Sequence, residues 1–423
     1  MTDKQILHIL KQELAPAVGC TEPVAVAYAA AKAKSILGRM PECAEIYVSR
    51  NILKNAMGVG IPGTDEVGLE MAAAMGIIGG KSEAVLEVLE GISEGQIQQA
   101  KKFAREQVST FLKSTAKKLY IEVLLKASDD SVTVIIEDSH TNISRILHGE
   151  MVVYEHSHCN DIQEAACDAG ELTVESIFQF ICGVDIRELE WLDECIRVNH
   201  AISMEGLCGE YGLRVGKNIR ESIQSRHPEE DVVNYCVSAA AAAADARMAG
   251  STMPVMTICG SGNQGITATL PVIAAVKAFR GSRELLYRSL ALSCLITIHV
   301  KQYIGKLSPL CGCGMGSSIG VCCALTYLQG GTLKQIKSAV NNMIADVSGI
   351  ICDGAKAGCS LKIATVIASA FQCSMLALKN SSAGEMDGIV ATDVENTIRN
   401  LGELGNRGMA DTDRVILDMM VCR

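Results

Sequence analysis

The sequence predicts an α+β protein, a small antiparallel β-sheet lobe with helices followed by a larger all-α domain. Three observations carry this reading. Runs rich in Ile, Val and Leu with strand-like texture are confined to residues 45–156, with Asp129-Asp130-Ser131 and Gly149 at the turns between them. From residue 161 onward almost no strand alternation remains, and Ala-, Leu- and Ile-rich helical periods take over. The composition, 48% hydrophobic, 20% charged and only 4% aromatic, suits a closely packed Ala- and Gly-rich core and excludes a disordered chain.

Taken in order, residues 5–39 read as a helix broken at Ala15-Pro16-Ala17-Val18-Gly19-Cys20-Thr21-Glu22-Pro23. It restarts there with Thr21 as N-cap and Pro23 in the first turn. A short strand is expected at 45–49 and helices at 66–79 and 93–113. A hairpin is expected at 120–126 and 132–137, with a second strand pair at 142–147 and 151–155. Helices then follow at 171–181, 186–208, 229–248, 266–280, 283–299, 318–329, 333–343 and 360–378, the six alanines 239–244 packing very closely on a neighbour. Three regions are expected. Residues 1–40 form N-terminal helices packed on the C-terminal domain, 41–160 the α+β lobe, and 161–423 the helical domain.

The formal net charge of −10, with no basic run interleaved with aromatics, argues against nucleic acid and against an anionic membrane surface. Residues 248–276 and 307–333 carry almost no charge. Pro254, Asn263, Gln264, Pro271, Pro309 and many glycines would leave their backbone unsatisfied in lipid, so both read as buried pocket walls. No secretory pattern opens the chain. Its 18 cysteines are therefore expected as reduced thiols in the cytoplasm, most of them core residues.

Five segments could carry chemistry. Cys311 and Cys313 lie in the glycine-dense loop Leu310-Cys311-Gly312-Cys313-Gly314, and Cys352 and Cys359 bracket a second loop containing Asp353, Gly354 and Lys356. Each pair alone reads equally as packed thiols. Together they offer three or four thiolates from two glycine-rich turns, which suits an iron–sulfur cluster. Cys259-Gly260-Ser261-Gly262-Asn263-Gln264-Gly265 opens onto a helix whose N–H groups could receive a carboxylate. It matches neither a P-loop nor a dinucleotide fingerprint. Cys20 stands just before a helix start, where a thiol pKa can fall. Asn51, Lys54 and Asn55 precede a loop with glycines at 58, 60 and 63 and could clamp a small zwitterion, or be a solvated turn. His156, Ser157, His158 and Cys159 form a weak metal clip. His299 reads as a satisfied core histidine, and Lys301 and Lys306 could bring positive charge to the cysteine loop.

In that order, GCTEP near residue 20, SRNILKNAMGVGIPG, GSGNQGI, KQYIGKLSPLCGCG and IICDGAKAGCSLK resemble the L-cysteine desulfidase family over nearly the whole chain. This is an uncharacterised-protein family related to the α-chain of iron–sulfur L-serine dehydratase. The resemblance implies a [4Fe–4S] enzyme without pyridoxal phosphate that eliminates sulfide from L-cysteine, leaving pyruvate and ammonia. The same chemistry on L-serine and a non-catalytic iron–sulfur sensor are the alternatives. It implies Cys352, Cys359 and one of Cys311 and Cys313 as cluster ligands, with Cys20 catalytic, as a thiolate base. Asn51, Lys54, Asn55, Ser261 and Asn263 are the substrate-binding residues expected beside them. The expected partner is a small amino acid, with no nucleic acid or membrane, and with a homodimer allowed as the assembly.

Overall fold

The computed structural model describes residues 1–156, 172–224, 226–305 and 307–421. Ser157, His158, Cys159 and Lys306 lie outside the described residues, so the clip proposed around His158 has no structural account. In chain order the elements are α1 (Asp3–Glu13), β1 (Leu14–Val18), α2 (Thr21–Leu37), β2 (Cys43–Val48), α3 (Arg50–Ala56), α4 (Leu69–Gly79), α5 (Glu94–Gln107), β3 (Val108–Leu112), β4 (Tyr120–Ala127), β5 (Asp130–Glu137), β6 (Ile143–His148) and β7 (Met151–Glu155). The second part holds α6 (Val174–Gly183), α7 (Leu192–Cys208), α8 (Val215–Ser222), α9 (Val232–Met248), β8 (Pro254–Ile258), α10 (Gly262–Ala278), α11 (Arg283–Ile304), α12 (Ser318–Leu328), α13 (Leu333–Val347), α14 (Cys359–Leu378), α15 (Val394–Glu403) and α16 (Thr412–Val421). The chain is thus α+β, a small sheet early and a mostly helical remainder.

The sheet runs β3-β2-β4-β5-β6-β7 and is mixed. β2 pairs with β3 in parallel and the other neighbours are antiparallel, which corrects the all-antiparallel expectation. β3 lies inside the stretch expected as helix 93–113. Val108, Thr110 and Phe111 are β-formers, and a helix stops where they can pair with Ala44, Ile46 and Tyr47. On β4, Ile121, Val123, Leu125 and Ala127 are buried on alternate positions, giving the sheet one dry face. That face forms a core with α2, α4 and α5 through Ala25, Ala29, Ala72 and Ile97. The expectation that 1–40 packs as a unit on the C-terminal domain therefore divides. α1 joins the helical core through Ile6, Ile9 and Leu10, whereas α2 belongs to the sheet.

A second correction concerns the break at residues 14–18. It is a strand, β1, pairing antiparallel with β8 in the register Leu14↔Ile258 to Val18↔Pro254. β8 likewise falls in the half expected to hold almost no strand.

Helix α9 runs through the centre of the second core. Its alanines 239–244 let neighbours approach closely: a Cβ added at Gly206 of α7 would lie 1.9 Å from the Ala242 carbonyl oxygen, and one at Gly216 of α8 would lie 2.1 Å from the Ala242 nitrogen. Among the described residues one helix, α14, is long and apolar enough to cross a membrane by length and composition. It packs into the helical core through Ile363, Val366, Ile367 and Ala370. Within the same helical core, fully buried His299 pairs with Glu395 at 2.7 Å, and Glu395 also accepts the Val174 N–H at 2.8 Å.

Burial pushes the Glu395 carboxyl up, but the hydrogen bond and charge of His299 outweigh it and hold the group below its ordinary 4.5. A carboxyl lowered in the folded state stabilises above its unfolded pKa, and the stabilisation fades as pH falls through the folded value. Glu395→Gln should therefore lower stability by about 1.5–3 kcal/mol at pH 7. Denaturant titrations from pH 7 to 3 should show the gap between wild type and variant narrowing below pH 4.5. A gap constant with pH would refute the ionic role.

Candidate active site

Three sets of hydrogen bonds, mostly main chain to main chain, gather distant segments around one cavity. The β1–β8 pair, the Cys259 N–H donating to the Glu13 carbonyl (3.2 Å) and Thr21 Oγ1 donating to the Gly260 carbonyl (3.3 Å) set the start of α2 beside the start of α10. An isolated antiparallel bridge joins Leu310 to Ile351, with Cys311 N–H donating to Ile350 O (3.0 Å) and Cys352 N–H to Pro309 O (2.6 Å). The two cysteine loops are therefore clamped together main chain to main chain. The third link is the Ala355 N–H donating to Asn55 O (3.2 Å), which fastens the second cysteine loop to α3.

The cavity measures about 610 Å³. Its wall includes Cys20, Asn55, Ser261, Asn263, Cys311, Cys313, Cys352 and Cys359. Cys352, Cys359 and both candidates for the third ligand, Cys311 and Cys313, thus border one space, with Cys20. Cys20 also packs with Val59 and Met248 in a small apolar cluster that Cys359 touches.

Asn51 and Lys54 are not in this wall, contrary to expectation. α3 turns them toward α16, where Asn51 Nδ2 donates to Asp413 Oδ2 (2.7 Å) and Lys54 Nζ pairs with Asp413 Oδ1 (2.5 Å). Lys54 Nζ also donates to the Cys352 carbonyl (2.9 Å). These residues hold the second cysteine loop from behind. Gly354 completes that contact. Its φ is +92°, and an added Cβ would lie 2.0 Å from the Lys54 carbonyl oxygen, so only glycine fits.

The polar wall has two characters. Arg247 is buried and donates to the Gly19 carbonyl (2.8 Å) and to Asn263 Oδ1 (3.1 Å). Asn263 spends its other amide atom on Met248 Sδ (3.3 Å), so it orients Arg247. The starts of α2, α10 and α14 all reach the cavity, and neither Cys20 nor Ser261 caps its helix with its side chain. Three helix N-termini and a guanidinium make this part receptive to anions. Glu22, in the first turn of α2, also lines the cavity. Burial pushes its carboxyl up, but the charge of His140, its hydrogen bonds, including one from Asn55, and Arg247 hold it below its ordinary value. Asn55 Nδ2 donates to Glu22 Oε1 (3.0 Å), which fixes the amide and leaves Asn55 Oδ1 buried without a partner.

The thiols are strongly polarised. A hydrogen bond from Cys313 holds the Cys311 thiol down to about 6, and the same contact, with burial, pushes Cys313 up. Burial also raises Cys352, and with the charge of Cys311 it pushes Cys359 up to about 12. Cys20 is pushed up to about 11 by burial, with Arg247 opposing and Glu22 assisting. Its position at a helix start therefore does not make it a resting thiolate, which corrects the expectation of a thiolate base. Lys301, in the same wall, moves the other way. Burial lowers its ammonium pKa against the pull of Cys259, Cys313, Cys352 and Cys311.

Among the described residues no three His, Cys, Asp or Glu side chains gather closely enough to hold a single metal ion. A single zinc-type ion draws its sulfurs to about 2.3 Å from one point. A cluster of several irons spreads them over its corners. A thiol-only donor set on two clamped loops, in which each sulfur charge disfavours the next, fits a cationic iron–sulfur core.

Sequence reasoning passed over Arg247 and Glu22 and did not give Gln264 a role. Arg247 had a signal, because Asp245 and Arg247 are charges at the edge of a long uncharged stretch after six alanines. Residues 83–418 match the family model described as the serine dehydratase alpha chain. A UPF0597 protein of Clostridium perfringens is 43% identical over 98% of this chain and 97% of its own length. UPF0597 proteins of Bacteroides fragilis (99% and 97% covered) and Aeromonas hydrophila (98% and 95% covered) are each 41% identical.

Proposed function

The chain belongs to the serine dehydratase alpha chain family, and on that premise we propose that it is an iron–sulfur-dependent lyase eliminating the β-substituent of a small α-amino acid, L-cysteine before L-serine. The observation that carries this reading is the sharing of one cavity by four thiols, an anion-receptive wall with Arg247 and an acceptor wall with Asn55 and Glu22. A zwitterion with a soft leaving group matches all three.

Cys352, Cys359 and one of Cys311 and Cys313 would hold a [4Fe–4S] cluster, which when bound supplies a Lewis acid for the departing sulfur or oxygen. Arg247 and the N–H groups opening α10 receive the carboxylate, and Asn263 keeps the guanidinium in place. Asn55 Oδ1 accepts from the ammonium, with the Glu22 charge behind it. Lys301, whose ammonium pKa burial lowers and whose Nζ donates to the Gly305 carbonyl, and Cys20, whose thiol burial raises, are the two wall residues assigned the proton transfers. Lys301 takes the Cα proton as the Cβ–S bond breaks, giving 2-aminoacrylate. Cys20 gives its proton to Cβ and takes one from the nitrogen, forming the imine, which water converts to pyruvate and ammonia.

L-serine is the second reading, supported by the description of the family model. Anaerobically purified protein given L-cysteine should release sulfide and pyruvate in equal amounts, faster than it releases pyruvate from L-serine. Faster turnover of L-serine would transfer the assignment to it. Absence of pyruvate from either would refute the lyase.

A further inference from the structure

Gln264 lines the cavity from the first turn of α10, is 4% exposed, and its Oε1 has no hydrogen-bond partner. The side chain is nevertheless closely placed. A Cβ built on Gly312 would lie 2.9 Å from Gln264 Cδ, 3.0 Å from Nε2 and 3.1 Å from Oε1. Three such similar distances mean that the amide lies flat on Gly312, between the two cysteines of the first loop. Its main chain is held as well, by Ser317 Oγ donating to the Gln264 carbonyl (3.1 Å).

An amide fixed in this way, with a buried acceptor left open, is destabilising in the absence of a ligand. Leucine or methionine would fill the same space without that cost. Asn55 Oδ1 is the matching open acceptor, its direction set by the bond from Asn55 to Glu22. Two open carbonyls in the wall of one cavity call for a ligand rich in N–H donors, and an α-ammonium carries three.

We propose that Gln264 is a substrate-orienting residue that accepts a hydrogen bond from the amino acid's α-ammonium, and that Gly312 is a positioning residue that lets the amide lie where it does. The proposal rests on the amino-acid lyase reading and deepens it. It makes the site select α-amino acids over their α-hydroxy counterparts, since a hydroxyl has a single O–H to donate and leaves one of the two acceptors, Gln264 Oε1 or Asn55 Oδ1, unpaired.

The test is calorimetric binding to the anaerobically purified full-length chain. The probes are L-alanine, which has no leaving group, and L-lactate, which exchanges the ammonium for a hydroxyl. Wild type should prefer L-alanine. Gln264→Leu should weaken L-alanine by about 10-fold, equivalent to one charged hydrogen bond, while L-lactate changes by no more than about twofold. Gln264→Glu should keep the preference, and Gly312→Ala should reduce it. Gln264→Met replaces the leucine variant if leucine disturbs α10. A preference unchanged in Gln264→Leu, or an equal loss for both probes, overturns the proposal. The outcomes separate from those of the lyase reading. Alanine selectivity that follows Gln264 without any pyruvate formation refutes elimination and keeps this site. Pyruvate formation with selectivity indifferent to Gln264 refutes this site alone.

Discussion

Replacing Cys352 or Cys359 by serine should leave anaerobically purified protein with almost no iron and no measurable sulfide release. A serine hydroxyl is not ionised near neutral pH and is a hard, weak partner for iron, whereas thiolate is the preferred donor. The fold should survive the exchange. Cys352 is held through its main chain, by its N–H on Pro309 and its carbonyl on Lys54, and neither bond uses the sulfur. Cys359 is the first residue of α14, and its N–H is carried by Lys356. Stability of the apo forms should therefore stay within about 1 kcal/mol of apo wild type. Iron analysis and a denaturant curve on the same samples separate the two effects. In the first loop, comparing iron content in Cys311→Ser and Cys313→Ser identifies the third ligand: Cys311 has the lowered thiol pKa and receives the Gly314 N–H at 3.4 Å, whereas Cys313 is the less buried. Full iron in both the Cys352 and Cys359 variants would refute the cluster site.

Lys54→Met should cost about 3 kcal/mol of stability, at the lower end of what breaking a buried ion pair removes. The Lys54 side chain is 1% exposed and its carboxylate partner Asp413 is 17% exposed. Methionine fills the volume but leaves Asp413 with only Asn51 and partial access to water, and it also strips the Cys352 carbonyl of a donor. Removing the charge on both sides, as Lys54→Met with Asp413→Leu, should recover much of the loss. Urea midpoints of the two variants provide the check. A single variant within about 0.5 kcal/mol of wild type would show that the pair contributes nothing.

The legible part of this protein was local. Alternating Ile and Val on β4 and β5, the Asp-rich turn between them and the Ala-rich period of α9 write their structure into neighbouring residues. β1 was not legible. Leu14-Ala15-Pro16-Ala17-Val18 contains a proline that argues against a strand, and its partner β8 lies some 240 positions away. β3 was hidden because α5 passes into it without a turn residue. At the site, residue type was readable and direction was not. Asn51, Lys54 and Asn55 are the same polar kind, but the helical turn of α3 sends Asn55 to the cavity and the other two to Asp413, 359 residues beyond Lys54. The cysteine loops stood out through their glycines. Arg247 and Gln264 did not, because their importance lies in what they face and in an amide left unsatisfied.

The pairing of Pro16 with Met256 sets a clock on biosynthesis. A ribosome adding roughly 5–20 residues per second keeps the first strand waiting about 12–48 s for its mate. Lys54 waits longer still for Asp413. The buried residues of the sheet core lie between Ala25 and Ile146 and can pack on emergence, whereas the cavity wall is incomplete until Cys359 has been made. Loading of the proposed cluster is therefore expected only after Cys359 has left the ribosome.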